Sequence, residues 1–237
     1  MPRKIDLITE LYKRTIKDIT SDSVAWRAFL TSAAYQYKYP FADQVLIYAQ
    51  RPYATACAET QLWNNHFGRW IKRGATGIAL IEGRGDRNYL KYVFDVSDTH
   101  HRENKPFDIW GIKPEYEGDI IEALQNRFID DDKQREKISD AVIAAAINLG
   151  ADNITDYLHE LTYDKEGSFL EEYDEDNLRV RFLVTVQASV AYTVLTRLGI
   201  NAGPFVGAES FEWVHEFNTP ATVNILGTAT SDISEIC

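Results

Sequence analysis

Trp70-Ile-Lys-Arg-Gly-Ala-Thr-Gly-Ile-Ala-Leu-Ile81 and Tyr89-Leu-Lys-Tyr-Val-Phe-Asp-Val96 decide the fold class. Both stretches are short and rich in β-branched and aromatic residues, and glycines punctuate them, whereas the flanking sequence repeats its apolar residues at helical spacing. The first reads as two short strands around a Gly-containing turn. The second reads as a third strand, so a small antiparallel sheet is expected. Upstream, Ile5, Ile8, Leu11, Tyr12, Ile16 and Ile19 mark a helix over 5–19. A second helix starts at Ser21 or Asp22, both good N-caps, with the stripe Trp26, Phe29, Leu30, Ala33 and Tyr37. A third runs from Phe41 to Gln50 and is closed by Pro52, and a fourth covers 56–66.

Downstream, the polar, proline-containing stretch 97–113 is expected to be irregular and to form a boundary. Helices are expected at 115–128, at 133–149 with a stop at Gly150, and at 154–161. An acidic stretch covers 163–177. The long apolar run 178–198, ending in Arg-Leu-Gly, favours a buried helix over a strand. Short helical segments are expected near 210–216 and 220–226. The predicted class is α+β, mainly helical, with the small antiparallel sheet in the N-terminal half. Two regions are predicted, 1–100 and an acidic, mostly helical 101–237 packed on it.

With 237 residues and 45% hydrophobic content, the chain can bury a sizeable core. Cys57 and Cys237 make neither a disulfide framework nor a four-ligand zinc site. Cys57 is expected to be an inert thiol on an apolar helix, and Cys237, the last residue, to be mobile. No apolar run reads as a signal core or a membrane span, so a cytoplasmic location is expected. The net charge of −11 argues against a nucleic-acid partner at first sight. Its distribution changes that reading. Residues 1–100 hold 14 Lys/Arg against 10 Asp/Glu, and the rest holds 11 against 26.

Catalytic motifs do not emerge. His159-Glu160 and His215-Glu216 open like a helical zinc-protease motif, but Tyr163 and Thr219 stand where its second histidine belongs. His100-His101 reads as a solvated loop. Gly83-Arg-Gly-Asp86 lacks the ending of a phosphate loop and reads as a hairpin turn. No catalytic residue, metal or cofactor is predicted.

The strongest pattern lies in 26–94, where aromatics and cations interleave: Trp26, Arg27, Tyr35, Tyr37, Lys38, Tyr39, Tyr48, Arg51, Tyr53, Trp63, Arg69, Trp70, Lys72, Arg73, Arg84, Arg87, Tyr89, Lys91 and Tyr92. Single strands are held by ring faces that stack on bases and by Lys/Arg that follow phosphates. Trp26 is expected in the core. The candidate DNA contacts are Tyr37, Lys38, Tyr39, Arg51, Tyr53, Arg69, Lys72, Arg73, Arg84 and Arg87. They require a local cationic trough floored by exposed rings.

The stretch Trp26-Arg-Ala-Phe-Leu-Thr-Ser-Ala-Ala-Tyr-Gln-Tyr-Lys-Tyr-Pro-Phe-Ala-Asp-Gln-Val-Leu-Ile-Tyr-Ala-Gln-Arg-Pro-Tyr-Ala-Thr55 resembles the N-terminal domain of ArdC-like antirestriction proteins, as do Trp63 and Gly68-Arg-Trp-Ile-Lys-Arg-Gly-Ala-Thr-Gly-Ile-Ala-Leu80. Val93–Thr99, Ser189–Gly199 and Leu226–Glu235 are similar to the opening region of very large proteins on conjugative elements of Gram-positive bacteria. The resemblance implies a non-catalytic module of a mobile element that binds single-stranded DNA in antirestriction or conjugative DNA handling. ArdC-like proteins carry a metalloprotease-like domain next, and its motif is missing here. The end at Cys237 is expected to be a truncation point of a larger protein. The alternative reading is an antidefence factor that inhibits a host restriction or CRISPR nuclease. Its acidic residues Glu171, Glu172, Asp174, Glu175 and Asp176 would then imitate a polyanion.

Overall fold

The protein is described from a computed structural model, which covers residues 2–84, 87–107 and 111–237, with Arg84 covered by its backbone alone. Helix α1 (Lys4–Asp18) turns Ile8, Thr15 and Ile16 inward. Helix α2 (Ser23–Tyr35) begins where Asp22 accepts hydrogen bonds from the backbone N–H groups of Val24 and Ala25, both at 2.8 Å. That cap satisfies donors that a helix start leaves orphaned. The predicted stripe Trp26, Phe29, Leu30 and Ala33 is buried, while Tyr37 lies beyond the helix end and stays exposed. Helix α3 (Phe41–Gln50) has the predicted bounds.

The segment 56–66 is not one helix. Strand β1 (Cys57–Ala58) precedes a short helix α4 (Thr60–Asn65). Cys57 sits opposite Asp95 in the sheet, and its carbonyl accepts a 2.9 Å hydrogen bond from the Tyr39 hydroxyl. These tertiary partners override helical propensity. Burial pushes the Cys57 thiol up, as suits an inert group.

Strand β2 (Arg69–Ile71) also departs from expectation. It does not form a hairpin with β3 (Ile78–Arg84); it pairs antiparallel with β5 (Thr99–His101), so His100 and His101 lie in a strand and not in a loop. Two features turn the chain away from β3. The Lys72 N–H donates to the Asp98 carbonyl at 2.8 Å, and Gly74 takes a φ of 87°, a left-handed value that glycine adopts freely. Strand β3 instead forms a hairpin with β4 (Arg87–Asp95), and β4 pairs with β1 at its other end. Gln50 covers the outer edge of β3: its amide donates to the Ala79 carbonyl at 2.8 Å and accepts from the Ala79 N–H at 2.9 Å.

The rest is helical: α5 (Glu117–Phe128), α6 (Ile138–Asn153), α7 (Thr155–Asp164), α8 (Glu175–Arg197) and α9 (Pro220–Ile236). Gly150 does not stop α6. It lies inside the helix where the Gln187 side chain of α8 crosses, and Gln187 donates to the Ile147 carbonyl at 2.7 Å. The 210–216 segment is two single 3₁₀ turns, at Ala208–Phe211 and Val214–Glu216. Arg181 of α8 holds the second turn by ion-pairing with Glu216 at 2.8 Å, with its guanidinium 3.8 Å from the Tyr173 ring. Helix α9 runs ten residues past the predicted Leu226, and Cys237 packs against the core, so the tail is docked.

Helix α8 is long and apolar enough to cross a membrane by length and composition alone. Here it packs against α2, α6 and α9. Its Phe182, Val186, Val190 and Leu195 are fully buried. The Trp26 indole, also fully buried, donates to the Ser189 hydroxyl at 2.8 Å, and that hydroxyl donates on to the Thr185 carbonyl at 2.6 Å. The larger core therefore draws side chains from both 1–100 and 101–237. A smaller core under the sheet joins Ile8, Leu46, Ile47, Leu80 and Val93.

Gly227 of α9 lies against the Phe41 ring, where an added methyl carbon would come within 2.1 Å of a ring carbon. Gly→Ala in a helix normally stabilises by about 0.5–1 kcal/mol. At this position overpacking reverses the sign, and Gly227→Ala is predicted to destabilise the protein by about 1–3 kcal/mol in urea unfolding.

Candidate nucleic-acid interface

The β2–β5 ribbon sorts its side chains by strand alternation. Arg69 points inward and is 9% exposed. Its Nε donates to Thr99 Oγ1 at 2.7 Å and its Nη1 to the Lys105 carbonyl at 3.0 Å, with the Phe107 ring 5.8 Å from the guanidinium. Arg69 ties the ribbon to the segment that follows it. It is not the phosphate contact predicted from the sequence. Trp70 points the other way, partly exposed, with its ring 6.5 Å from that of its cross-strand partner His100. The guanidinium of exposed Arg102 lies 4.3 Å from the Trp70 ring. Lys72 and Arg73 follow directly and are both exposed. Lys72 donates through Nζ to the Ser97 carbonyl at 2.8 Å, which fixes its stem without neutralising its charge. Neither Arg73 nor Arg102 makes an ion pair among the described residues.

Other predicted contacts are engaged elsewhere. Tyr39 is half-buried against the smaller core and donates to the Cys57 carbonyl. Burial raises its hydroxyl pKa. Arg51 faces Asp98 two-pronged, Nη1 donating to Oδ1 at 3.2 Å and Nη2 lying 3.1 Å from Oδ2. This corrects its assignment as a free phosphate ligand. Lys38 pairs with Glu235 at 2.8 Å, on the exposed surface where such pairs are weak. Tyr37 has two cations near its ring, Lys38 at 4.8 Å and Arg197 at 4.4 Å. Tyr53 is 92% exposed. Arg87 is exposed at the far end of the β3–β4 hairpin, opposite Arg84 in register, and the Arg84 side chain lies outside the described residues. The nine whose side chains are described do not line one trough: Arg69 faces inward, Tyr39 packs on the smaller core, Lys72 and Arg73 stand together on the ribbon, Tyr37 and Lys38 at the end of α2, and Arg87 at the far end of the β3–β4 hairpin.

The ribbon's own rings and cations were only partly visible in the sequence. Trp70 belongs to the interleaved pattern, but His100 and Arg102 join it through the β2–β5 pairing, which no local spacing announces. A second exposed stack, Lys4 with its Nζ 4.7 Å from the Tyr92 ring, joins α1 to β4.

The acidic candidates have local roles. Asp174 caps α8 by accepting from the Asn177 N–H at 2.8 Å, and that bond holds its carboxyl below the usual range. Glu175 and Asp176 occupy the first turn of α8, where negative charge complements the helix dipole. Glu171 accepts from the Gly167 N–H at 2.8 Å, and Glu172 is exposed. His159 stacks edge-on with Tyr163, and Glu216 of the second His-Glu pair is held by Arg181. Among the described residues no three His, Cys, Asp or Glu side chains converge in a way that could hold a metal ion.

The chain matches no protein-family model, no characterised protein and no solved structure.

Asp95 anchors the ribbon's approach. Its Oδ1 accepts from the N–H groups of Thr55 and Ala56 at 2.8 and 3.1 Å, and Oδ2 from Ser97 at 2.9 Å. Burial alone would raise its pKa, but these hydrogen bonds outweigh burial and hold it below the ordinary value. A depressed folded pKa stabilises the fold above the unfolded value of about 3.9, and that stabilisation is lost as pH falls through the folded pKa. Asp95→Asn is predicted to cost about 1–3 kcal/mol at neutral pH. Its deficit relative to wild type should close in urea titrations taken progressively below pH of about 4.

Proposed function

We propose that this chain is a non-catalytic module that binds single-stranded DNA across the outer face of the β2–β5 ribbon. The observation that carries the reading is the stack of exposed Arg102 on partly exposed Trp70, flanked by His100 and by Lys72 and Arg73. Rings that accept bases and cations that follow phosphates are what a sequence-tolerant single-strand binder requires. Among the described residues the cations of this face are not paired with carboxylates: Asp98 faces Arg51, and Glu103 pairs with Lys105. Strand β2, with Trp70 and the following Lys72 and Arg73, also lies in the part of the chain that resembles the single-strand-binding domain of ArdC-like antirestriction proteins. A role in antirestriction or conjugative DNA handling on a mobile element fits that resemblance. The nuclease-inhibitor reading draws less support, because Glu171, Asp174, Glu175 and Asp176 each serve a turn or the start of α8.

Fluorescence anisotropy with a labelled single-stranded oligonucleotide tests this. Trp70→Ala should weaken binding by about 5- to 160-fold, the loss of about 1–3 kcal/mol for one stacked base. Arg102→Ala should weaken it and reduce the slope of log affinity against log salt by about one unit. Urea unfolding of both variants separates loss of contact from loss of fold. No binding at low salt, or a stably folded Trp70→Ala protein that binds like wild type, would sink the proposal.

A further inference from the structure

The ribbon has a second side. Where Arg69 faces inward, Phe107 follows, its ring 5.8 Å from the Arg69 guanidinium and 5.3 Å from that of Phe67. Phe67 and Phe107 form one wall of a cleft of about 590 Å³. Tyr35, Tyr37, Val194 and Leu198 line it as well, with Ala56 and Arg197 among the remaining contributors. The volume lies within the range of small-ligand sites, about 300–1,000 Å³, and the composition is also of that kind, mostly apolar with few polar groups. Phe67 and Tyr37 are exposed at 39% and 36%, so these rings are not sealed into the core.

Arg197 gives the cleft its charge. Its guanidinium lies 4.4 Å from the Tyr37 ring, and Nη1 donates to the Ser234 carbonyl at 2.8 Å. Nε and Nη2 are buried and have no hydrogen-bond partner among the described residues. A buried cation left short of acceptors costs free energy, and an anion in the adjoining cleft would offset part of it through its charge. Glu235 and Cys237 line the same cleft and act on the Arg197 charge, Cys237 more than Glu235, and Glu235 is paired with Lys38. Four aromatic rings beside an under-satisfied guanidinium suit a flat ring that carries an anion.

We infer that this cleft takes one nucleotide unit, its base against the Phe67 and Phe107 rings and its phosphate toward Arg197. The inference rests on the single-strand reading, since the unit supplied is an unstacked or terminal nucleotide of a strand held on the outer face of the same ribbon. Stacking on the outside of the ribbon would set affinity, and the cleft would receive one base.

The test uses oligonucleotides carrying 2-aminopurine at the 5′ end, the 3′ end or the centre, read by fluorescence while anisotropy reports total binding. Two variants perturb the cleft. Ala56→Trp fills it, and Phe67→Ala removes a partly exposed wall ring, a change the fold should tolerate if the filled variant does not. The expected result is quenching at one of the three positions in wild type, reduced at least threefold by either variant that folds, with total binding changed far less. If wild type binds the strands but quenching is absent, or is unaffected by both changes, the cleft assignment is overturned and the single-strand reading stands. If no strand binds, that reading fails. Free 2-aminopurine deoxyribonucleoside monophosphate then decides the cleft: quenching sensitive to Phe67→Ala supports a nucleotide site, and its absence overturns it.

Discussion

The buried hydrogen bond from the Trp26 indole to the Ser189 hydroxyl is the constraint on which the rest of this structure depends. An indole N–H in a dry core needs an acceptor; Trp63 finds the Phe94 carbonyl, and Trp26, facing a helix whose carbonyls are already paired, finds the Ser189 hydroxyl. Meeting that requirement brings α2 against α8, and α8 in turn aligns α6 and α9 around itself. The N-terminal helices and the C-terminal bundle consequently share one core. The β3–β4 sheet packs on α1 and α3, and β2 of the ribbon packs on α4. They are held there by Gln50 on the edge of β3, by Asp95 across the 55–57 segment and by Arg51 opposite Asp98. A surface ribbon so braced can present exposed rings without being free to fold them inward.

Much of this architecture was legible because it is periodic. The stripes of α1 to α3, the Asp22 cap, the length of α8 and the β3–β4 hairpin follow from spacing and turn chemistry that neighbouring residues carry. What failed was what non-local partners decide. Residues 57–58 form a strand because Asp95 and Tyr39 supply partners. Gly150 continues its helix because Gln187 crosses there. β2 abandons the nearer strand because the chain reverses at Gly74. The candidate site suffered in the same way. Arg69, Trp70, Lys72 and Arg73 are adjacent cations and a ring in sequence, yet one of the four is structural. Only alternation along β2, once its partner is known, separates Arg69 from Trp70. Arg102 was invisible because its ring lies on another strand.

The opposite charges of the two halves also acquire a physical reading. Several carboxylates of the second half stabilise the fold locally, by capping α8, by complementing its dipole or by holding a turn. They repel a polyanion locally, while Arg73 and Arg102 of the ribbon have no carboxylate partner among the described residues. A protein with a negative total charge can therefore still direct a nucleic acid to one face, since steering follows the local field.

Photo-crosslinking is the most direct measurement of the central claim. A single-stranded oligonucleotide bearing halogenated pyrimidines would be irradiated in the presence of the intact protein, and the attached peptide mapped by mass spectrometry. The account predicts adducts concentrated on Trp70 and on the peptide containing His100 and Arg102. Adducts confined to the acidic helices, or spread without preference over the surface, would contradict it.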